Sequence, residues 1–164
     1  MATPIKRQSG PTADDLANAV YAWQADTATV SEFLNIAALY TDDATFIEAA
    51  TIALNAENDE LTHKAVIDAV FGGYPDIITA NNVLVNEGTF GAVVSGLQDM
   101  VNNGMAAIGD VAIINANRCP NVLPAIDMYF GVVENALTTA PEGLTLAVPV
   151  GGAVRPIVCG GPQM

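Results

Sequence analysis

The stretch that decides the fold is residues 12–40, which read TADDLANAVYAWQADTATVSEFLNIAALY and contain neither glycine nor proline. Its apolar and small residues recur every three or four positions, at Leu16, Val20, Trp23, Thr27, Val30, Leu34 and Ala37. This spacing is that of one face of an α-helix. Thr12 supplies a capping side chain, and Asp14 and Asp15 place negative charge in the first turn, where the helix dipole favours it. The stretch therefore predicts a long helix with a well-marked start.

The rest of the chain continues the helical pattern in three further segments, residues 41–71, 74–104 and 105–137. Thr41-Asp42-Asp43 repeats the capping chemistry at the start of the second segment, which we expect to form an antiparallel hairpin with the first. Helix breakers end or interrupt the segments at Gly72-Gly73, Gly88, Gly91, Gly104 and Cys119-Pro120. We predict an all-α fold, a four-helix up-down bundle over residues 11–137.

The C-terminal segment, residues 138–164, is predicted to be an extended tail. It holds four of the nine prolines and five of the fourteen glycines, and Leu144, Leu146, Val148 and Val150 alternate with other residues. The two cysteines, Cys119 and Cys159, suit one disulfide in an oxidising compartment. Such a bond would strap the tail onto the bundle, whereas two unpaired thiols are the alternative.

Composition excludes several classes of partner. The chain has 164 residues, enough for one sizeable core, and 51% of them are apolar. Its 18 acidic and 5 basic residues give a net charge of −13, which repels nucleic acid and anionic lipid surfaces. No apolar run approaches the length of about 20 residues that crosses a bilayer. We therefore expect no nucleic-acid partner and no membrane span.

The first residues, 1–10, differ from the bundle and are predicted to be a processed or disordered segment. Lys6-Arg7 forms a dibasic pair typical of a processing site, and we expect Met1 to replace a removed signal peptide. Together with the cysteine pair, this site predicts a secreted, extracellular protein. The alternative is an ordinary basic pair in a disordered tail.

One constellation is suited to metal chemistry. Glu60 and the only histidine of the chain, His63, stand three residues apart on one face of the second helix, so both side chains could bind one ion. Apolar neighbours on this face predict that it turns inward, where a carboxylate and an imidazole need each other or a cation. The alternative is a structural pair, exposed or hydrogen-bonded, without a metal.

Around these residues the chain resembles the ferritin-like superfamily, in particular its secreted or desiccation-related branch. The resemblance covers roughly residues 14–137 and is carried by Glu60, His63 and the stretch Asn86-Glu87-Gly88-Thr89-Phe90-Gly91. It implies a Fe, Mn or Zn ion bound by Glu60, His63, Glu87 and Gln24, or Asp26 in place of Gln24. The chain departs from the family at Asn115-Ala116-Asn117-Arg118, where the family has Glu-x-x-His, and the arginine would oppose a second cation.

The chain is also similar to small secreted ascomycete proteins described as effector-like. The similar stretches are Asp-Leu-Ala-Asn, Trp-Gln-Ala-Asp, Leu-Asn-Ala-Glu-Asn-Asp-Glu-Leu-Thr-His-Lys and Asn-Arg-Cys-Pro, at residues 15–18, 23–26, 54–64 and 117–120. This resemblance implies a fungal, extracellular setting and no catalytic residues.

Sequence reasoning thus favours a secreted, non-catalytic bundle without a cofactor, which acts by interaction at the cell surface or with a host. Its predicted partner is an unknown protein or a hydrophobic small molecule, because the high apolar content can line a cavity. The alternative function is a ferritin-like metal-binding protein with a degenerate single-ion site, and a third is a structural or antigenic wall protein.

Overall fold

The computed structural model describes residues 10–139 and 151–160 of the chain. These residues form helices and turns, with no β-strand in either range. The α-helices are α1 (Ala13–Ile36), α2 (Asp43–Phe71), α3 (Pro75–Asn81), α4 (Thr89–Asn103), α5 (Asp110–Asn117) and α6 (Leu123–Thr138). Short 3₁₀ turns lie at Ala37–Leu39, Gly104–Ala107 and Ile157–Cys159, and π-helical turns lie at Asn82–Asn86 and Arg118–Val122. The predicted all-α helical bundle is confirmed.

The starts of α1 and α2 follow the predicted capping chemistry. Thr12 Oγ1 accepts a hydrogen bond of 3.1 Å from the backbone N–H of Asp15, whose carboxylate accepts one of 2.8 Å from the N–H of Thr12. The Asp42 carboxylate accepts a hydrogen bond of 3.0 Å from the N–H of Thr45. These bonds satisfy amide groups that would otherwise lack a partner in the first turn of each helix.

The two predicted irregularities are π-helical turns. The turn Asn82–Asn86 joins α3 to α4 and is followed by Gly88, whose φ of 73° favours glycine. The turn Arg118–Val122 joins α5 to α6 around Pro120, which lacks the backbone N–H that a regular helix requires. The bundle therefore has four rods, which are α1, α2, the pair α3 and α4, and the pair α5 and α6. A π-helical turn often marks a functional position.

The core lies between the four rods, and its centre is aromatic. Trp23 on α1 is fully buried and packs against Tyr129 and Phe130 on α6, with ring centroids 5.2 and 5.6 Å apart. Phe33 near the end of α1 packs against Phe46 near the start of α2, and Trp23 in the first half of α1 lies opposite Glu60 in the second half of α2, so these helices form the predicted antiparallel hairpin. In the described ranges, no helix is long and apolar enough to span a membrane.

Residues 151–160 form a strap that crosses α1 and α6. A disulfide joins Cys119 to Cys159, with the two Cα atoms 5.3 Å apart, and confirms the predicted pairing. Gln24 Nε2 on α1 donates a hydrogen bond of 2.9 Å to the carbonyl of Gly152, and Arg155 forms an ion pair with Asp127 on α6. The predicted processing site at Lys6-Arg7 and the alternating residues 144–150 lie outside the described residues.

Candidate metal centre

Unpartnered polar atoms are concentrated where α1 meets α2. In the described part of the chain, seven buried side-chain nitrogen and oxygen atoms lack a hydrogen-bond partner. All but one of them belong to five side chains at this seam and the adjoining π-helical turn: Asp26, Glu57, Glu60, His63 and Arg118. Because folded proteins pair the large majority of their buried polar groups, this concentration singles out the seam as a candidate binding site.

The inner half of the seam holds two carboxyl groups and one guanidinium. Glu57, Glu60 and Arg118 are fully buried. Glu60 Oε2 accepts a hydrogen bond of 2.8 Å from Trp23 Nε1, whereas Glu60 Oε1 and both oxygens of Glu57 accept none. By contrast, the buried Lys64 is paired, since its Nζ donates to the Asp68 carboxylate over 2.6 Å. Among the buried charged side chains of α2, the unpartnered atoms therefore belong to Glu57 and Glu60.

The π-helical turn places Arg118 in this inner half. Its Nη1 donates a hydrogen bond of 2.7 Å to Ser31 Oγ, and its Nη2 donates one of 3.2 Å to the carbonyl of Thr27. Burial raises the pKa of Glu57 to about 7, and the positive charge of Arg118 opposes this shift. Burial, followed by the charge of Glu57, also raises the pKa of Glu60 well above its usual range. The inner half thus combines carboxyl groups that resist ionisation with one permanent cation.

The outer half of the seam brings together Asp26 on α1 with Asp59 and His63 on α2. His63 Nε2 lies 3.1 Å from Asp26 Oδ2 and 3.3 Å from Asp59 Oδ2. One ligand atom from each of the three side chains lies within 4.8 Å of the others. In the described ranges, these residues form the only group of three or more His, Cys, Asp or Glu side chains whose ligand atoms lie this close together.

These distances match those between ligands of one metal ion. Two atoms that each lie about 2.1 Å from an ion are about 3.0 Å apart in an octahedral site and about 3.4 Å apart in a tetrahedral site. Although both carboxylates lie near His63 Nε2, neither is aligned for a hydrogen bond with an N–H at this nitrogen. Burial raises the pKa of Asp26 to about 6, while His63 opposes the shift and Asp59 adds to it. A cation between the three side chains would favour the ionised form of Asp26.

The outer half is accessible from solvent. The side chains of His63 and Asp26 are 16% and 18% exposed, and that of Asp59 is 57% exposed. His63 lines one surface groove of about 490 Å³, whereas Asp26 and Asp59 line a second groove of about 590 Å³. Asp26 Oδ2 and His63 Nε2 are themselves buried, so an ion that approaches from these grooves would reach them only after the surrounding side chains rearrange, without opening the helical core.

The structure assembles only part of the ligand set predicted from the sequence. His63 and Asp26, the predicted substitute for Gln24, lie together, and Glu60 lies deeper, bound to Trp23. The Gln24 side chain donates to the strap instead. Glu87 is exposed, accepts a hydrogen bond of 2.8 Å from Asn82, and lies outside the group of three. Glu87 stands at the end of the π-helical turn, directly before the left-handed Gly88, and so lies on the exposed connection between α3 and α4.

Sequence reasoning missed Asp59 and the inner glutamate Glu57. The signal for Asp59 is its position four residues before His63, which brings both side chains to neighbouring positions on one face of a helix. Glu57 stands three residues before Glu60 and shares its face in the same way.

Comparison of the chain with protein-family models, with curated proteins and with solved structures finds no match in any of the three. A functional assignment for this centre therefore depends on its residues and their geometry.

Proposed function

We propose that the protein binds one divalent transition-metal ion at the α1–α2 seam, through Asp26, Asp59 and His63. The observation that supports the proposal is the convergence of one imidazole nitrogen and two carboxylate oxygens, with the nitrogen 3.1 and 3.3 Å from the oxygens. Asp26 Oδ2 and His63 Nε2 lie within ion-pair distance of each other but have no hydrogen-bond partner, which supports their availability to such an ion. The ferritin-like kinship inferred from the sequence remains part of this proposal.

The donor set favours Zn, Mn or Fe over the harder ions Ca and Mg. Imidazole nitrogen suits zinc, iron and other transition metals, whereas all-oxygen sites suit calcium and magnesium. Three protein ligands leave at least one coordination position for water or for a small molecule from the adjoining grooves. The buried positive charge of Arg118, close to Glu57 and Glu60, opposes a second ion deeper in the seam. We therefore propose a stoichiometry of one ion per chain.

We also propose that the protein acts outside the cell, by interaction and without catalysis. The disulfide between Cys119 and Cys159 supports an oxidising compartment, because such bonds are rare in the reducing cytosol. In this setting a bound ion would either stabilise the α1–α2 hairpin or present its open coordination position to a partner.

Calorimetric titration of the chelator-treated protein with Zn, Mn and Fe(II) salts tests the metal site. We expect about one equivalent of zinc to bind, and His63→Ala and Asp26→Asn each to weaken binding about tenfold or more. The control is Asp76→Asn, which removes the same charge from an exposed position on α3 and should leave the affinity unchanged. Binding below about a tenth of an equivalent, or equal affinity in His63→Ala and the parent, would refute the proposal.

A further inference from the structure

A second surface feature, independent of the metal centre, is an apolar groove between the end of α1, helix α5 and the strap. Its volume of about 610 Å³ lies inside the range of about 300–1,000 Å³ typical of small-molecule sites. Its walls include Leu34, Ile108, Val111, Pro120 and Val158. We call it the Asn115 groove, after the one polar side chain among its described lining residues.

The Asn115 groove is held open by covalent structure. Cys119 lines it, and the disulfide to Cys159 fixes the strap residue Val158 as the opposite wall. Val158 and its neighbour Ile157 are each 69% exposed, so the apolar surface continues beyond the groove onto the strap. A preformed apolar site avoids part of the entropic cost of ordering a loop on binding.

Asn115 gives the groove one specific polar requirement. Its Oδ1 is the seventh buried unpartnered atom in the described residues and the only one outside the α1–α2 seam and its adjoining π-helical turn. A buried acceptor without a donor costs about 1–3 kcal/mol. Asn115 lines the groove although its Oδ1 is buried, and rotation about χ2, a broad torsion in asparagine, would turn the amide towards a bound ligand. A hydroxyl group satisfies the amide in either orientation, since it can both donate and accept a hydrogen bond.

Charge restricts the ligand further. The chain carries a net charge of −13, and the described lining of the groove offers no basic side chain to neutralise an anion. Burial of an unpaired carboxylate in an apolar site is strongly unfavourable. We infer that the Asn115 groove binds a neutral, predominantly aliphatic molecule with one hydroxyl group, such as a long-chain alcohol.

The test uses the full chain, in a metal chelator so that the metal centre does not contribute, with 1-decanol and decanoate as probes of equal length. Backbone amide chemical shifts in two-dimensional NMR spectra, recorded during titration, locate the site and give the affinity. We expect decanol to shift the amides of residues 108–119 and 157–159 and to bind at least about tenfold more tightly than decanoate, since the carboxylate would be buried unpaired. Shifts that lie elsewhere, or equal affinity for decanoate, would overturn the inference.

Three variants separate ligand binding from a general loss of structure. Ala112→Trp fills the groove from an exposed position on α5, and we expect it to abolish decanol binding. Ala44→Trp adds the same side chain at an exposed position of α2 and should bind decanol as the parent does. Asn115→Leu keeps the shape but removes the amide, and should weaken decanol binding about three- to tenfold. Unchanged binding in both Ala112→Trp and Asn115→Leu would contradict the site.

Discussion

Trp23 and Glu60 are joined across the α1–α2 seam by a hydrogen bond of 2.8 Å, which the indole Nε1 donates to the Glu60 carboxylate. Both side chains are buried, and the Trp23 ring packs on Tyr129 and Phe130. The carboxylate that the sequence suggested as a metal ligand therefore has a structural partner. This bond separates the inner half of the seam, which stabilises the fold, from the outer half, which we propose binds metal.

Substitutions of Glu60 test this division. We expect Glu60→Ala to lower the free energy of unfolding by about 2–4 kcal/mol, because it leaves the Trp23 N–H unpaired and opens a cavity. Glu60→Gln keeps an acceptor of similar shape and should cost less than about 1 kcal/mol. Urea unfolding measures both values. Zinc affinity should stay at the parent value in Glu60→Gln, and its loss would place Glu60 among the ligands.

Arg118 is expected to stabilise the two buried glutamates. Arg118→Met removes the guanidinium from Ser31 and Thr27 and leaves Glu57 and Glu60 without the nearby positive charge. Loss of one partner from a buried charge cluster typically costs about 3–5 kcal/mol. We expect a cost of this size at pH 8 and a smaller one at pH 5, where Glu57, with a pKa of about 7, holds its proton. Denaturant unfolding at the two pH values checks this, and an equal cost at both would contradict the coupling.

The pKa of Glu57 predicts how stability depends on pH. Burial raises it from 4.5 to about 7, so between these values the folded state binds more protons than the unfolded state. The free energy of unfolding therefore falls as the pH rises through this window, by up to about 3 kcal/mol. We expect Glu57→Gln, which cannot titrate, to flatten the profile in the presence of a chelator. The exposed Glu48→Gln is the control, and identical slopes in Glu57→Gln and the parent would rule out this role.

The disulfide is predicted to be the main stabilising link of the strap. It closes a loop with a sequence separation of 40 residues, for which the chain-entropy relation gives about 4 kcal/mol. The double variant Cys119→Ala, Cys159→Ala should lose about this free energy of unfolding, measured by guanidinium titration. Asp127→Asn, which removes the charge from the partly exposed ion pair with Arg155 and keeps an oxygen that can accept from the N–H of Ala153, should cost about 1 kcal/mol or less. Equal losses in the two variants would show that the covalent link contributes little.

Local sequence signals predicted the fold well because they act over a few residues. Thr12 and Asp42 cap their helices as expected, and the breaks fall beside Gly88 and at Pro120. The pairing of Cys119 with Cys159 spans 40 residues and could be predicted because the chain holds only two cysteines. The π-helical form of the breaks was not predicted, because its hydrogen-bond pattern depends on how the rods pack.

The candidate site was predicted only in part, because the helical period shows on which side of a helix a residue lies but not how deeply its side chain is buried. At about 100° per residue, His63 is rotated by about 60° from Glu60 around α2, so Glu60 faces the core and His63 its edge. Asp59 is only about 40° from His63 on this edge, and the opposing helix supplies Asp26. A pairing between two helices, such as that of Asp26 with His63, depends on their register, which one sequence does not reveal.

The most direct test of the proposed metal centre is an anomalous difference map from crystals grown with zinc, recorded on both sides of the zinc absorption edge. We predict one zinc peak per chain, about 2.0–2.2 Å from His63 Nε2 and from one oxygen each of Asp26 and Asp59. A peak at Glu87, or no peak within bonding distance of the His63 ring in zinc-saturated crystals, would contradict it.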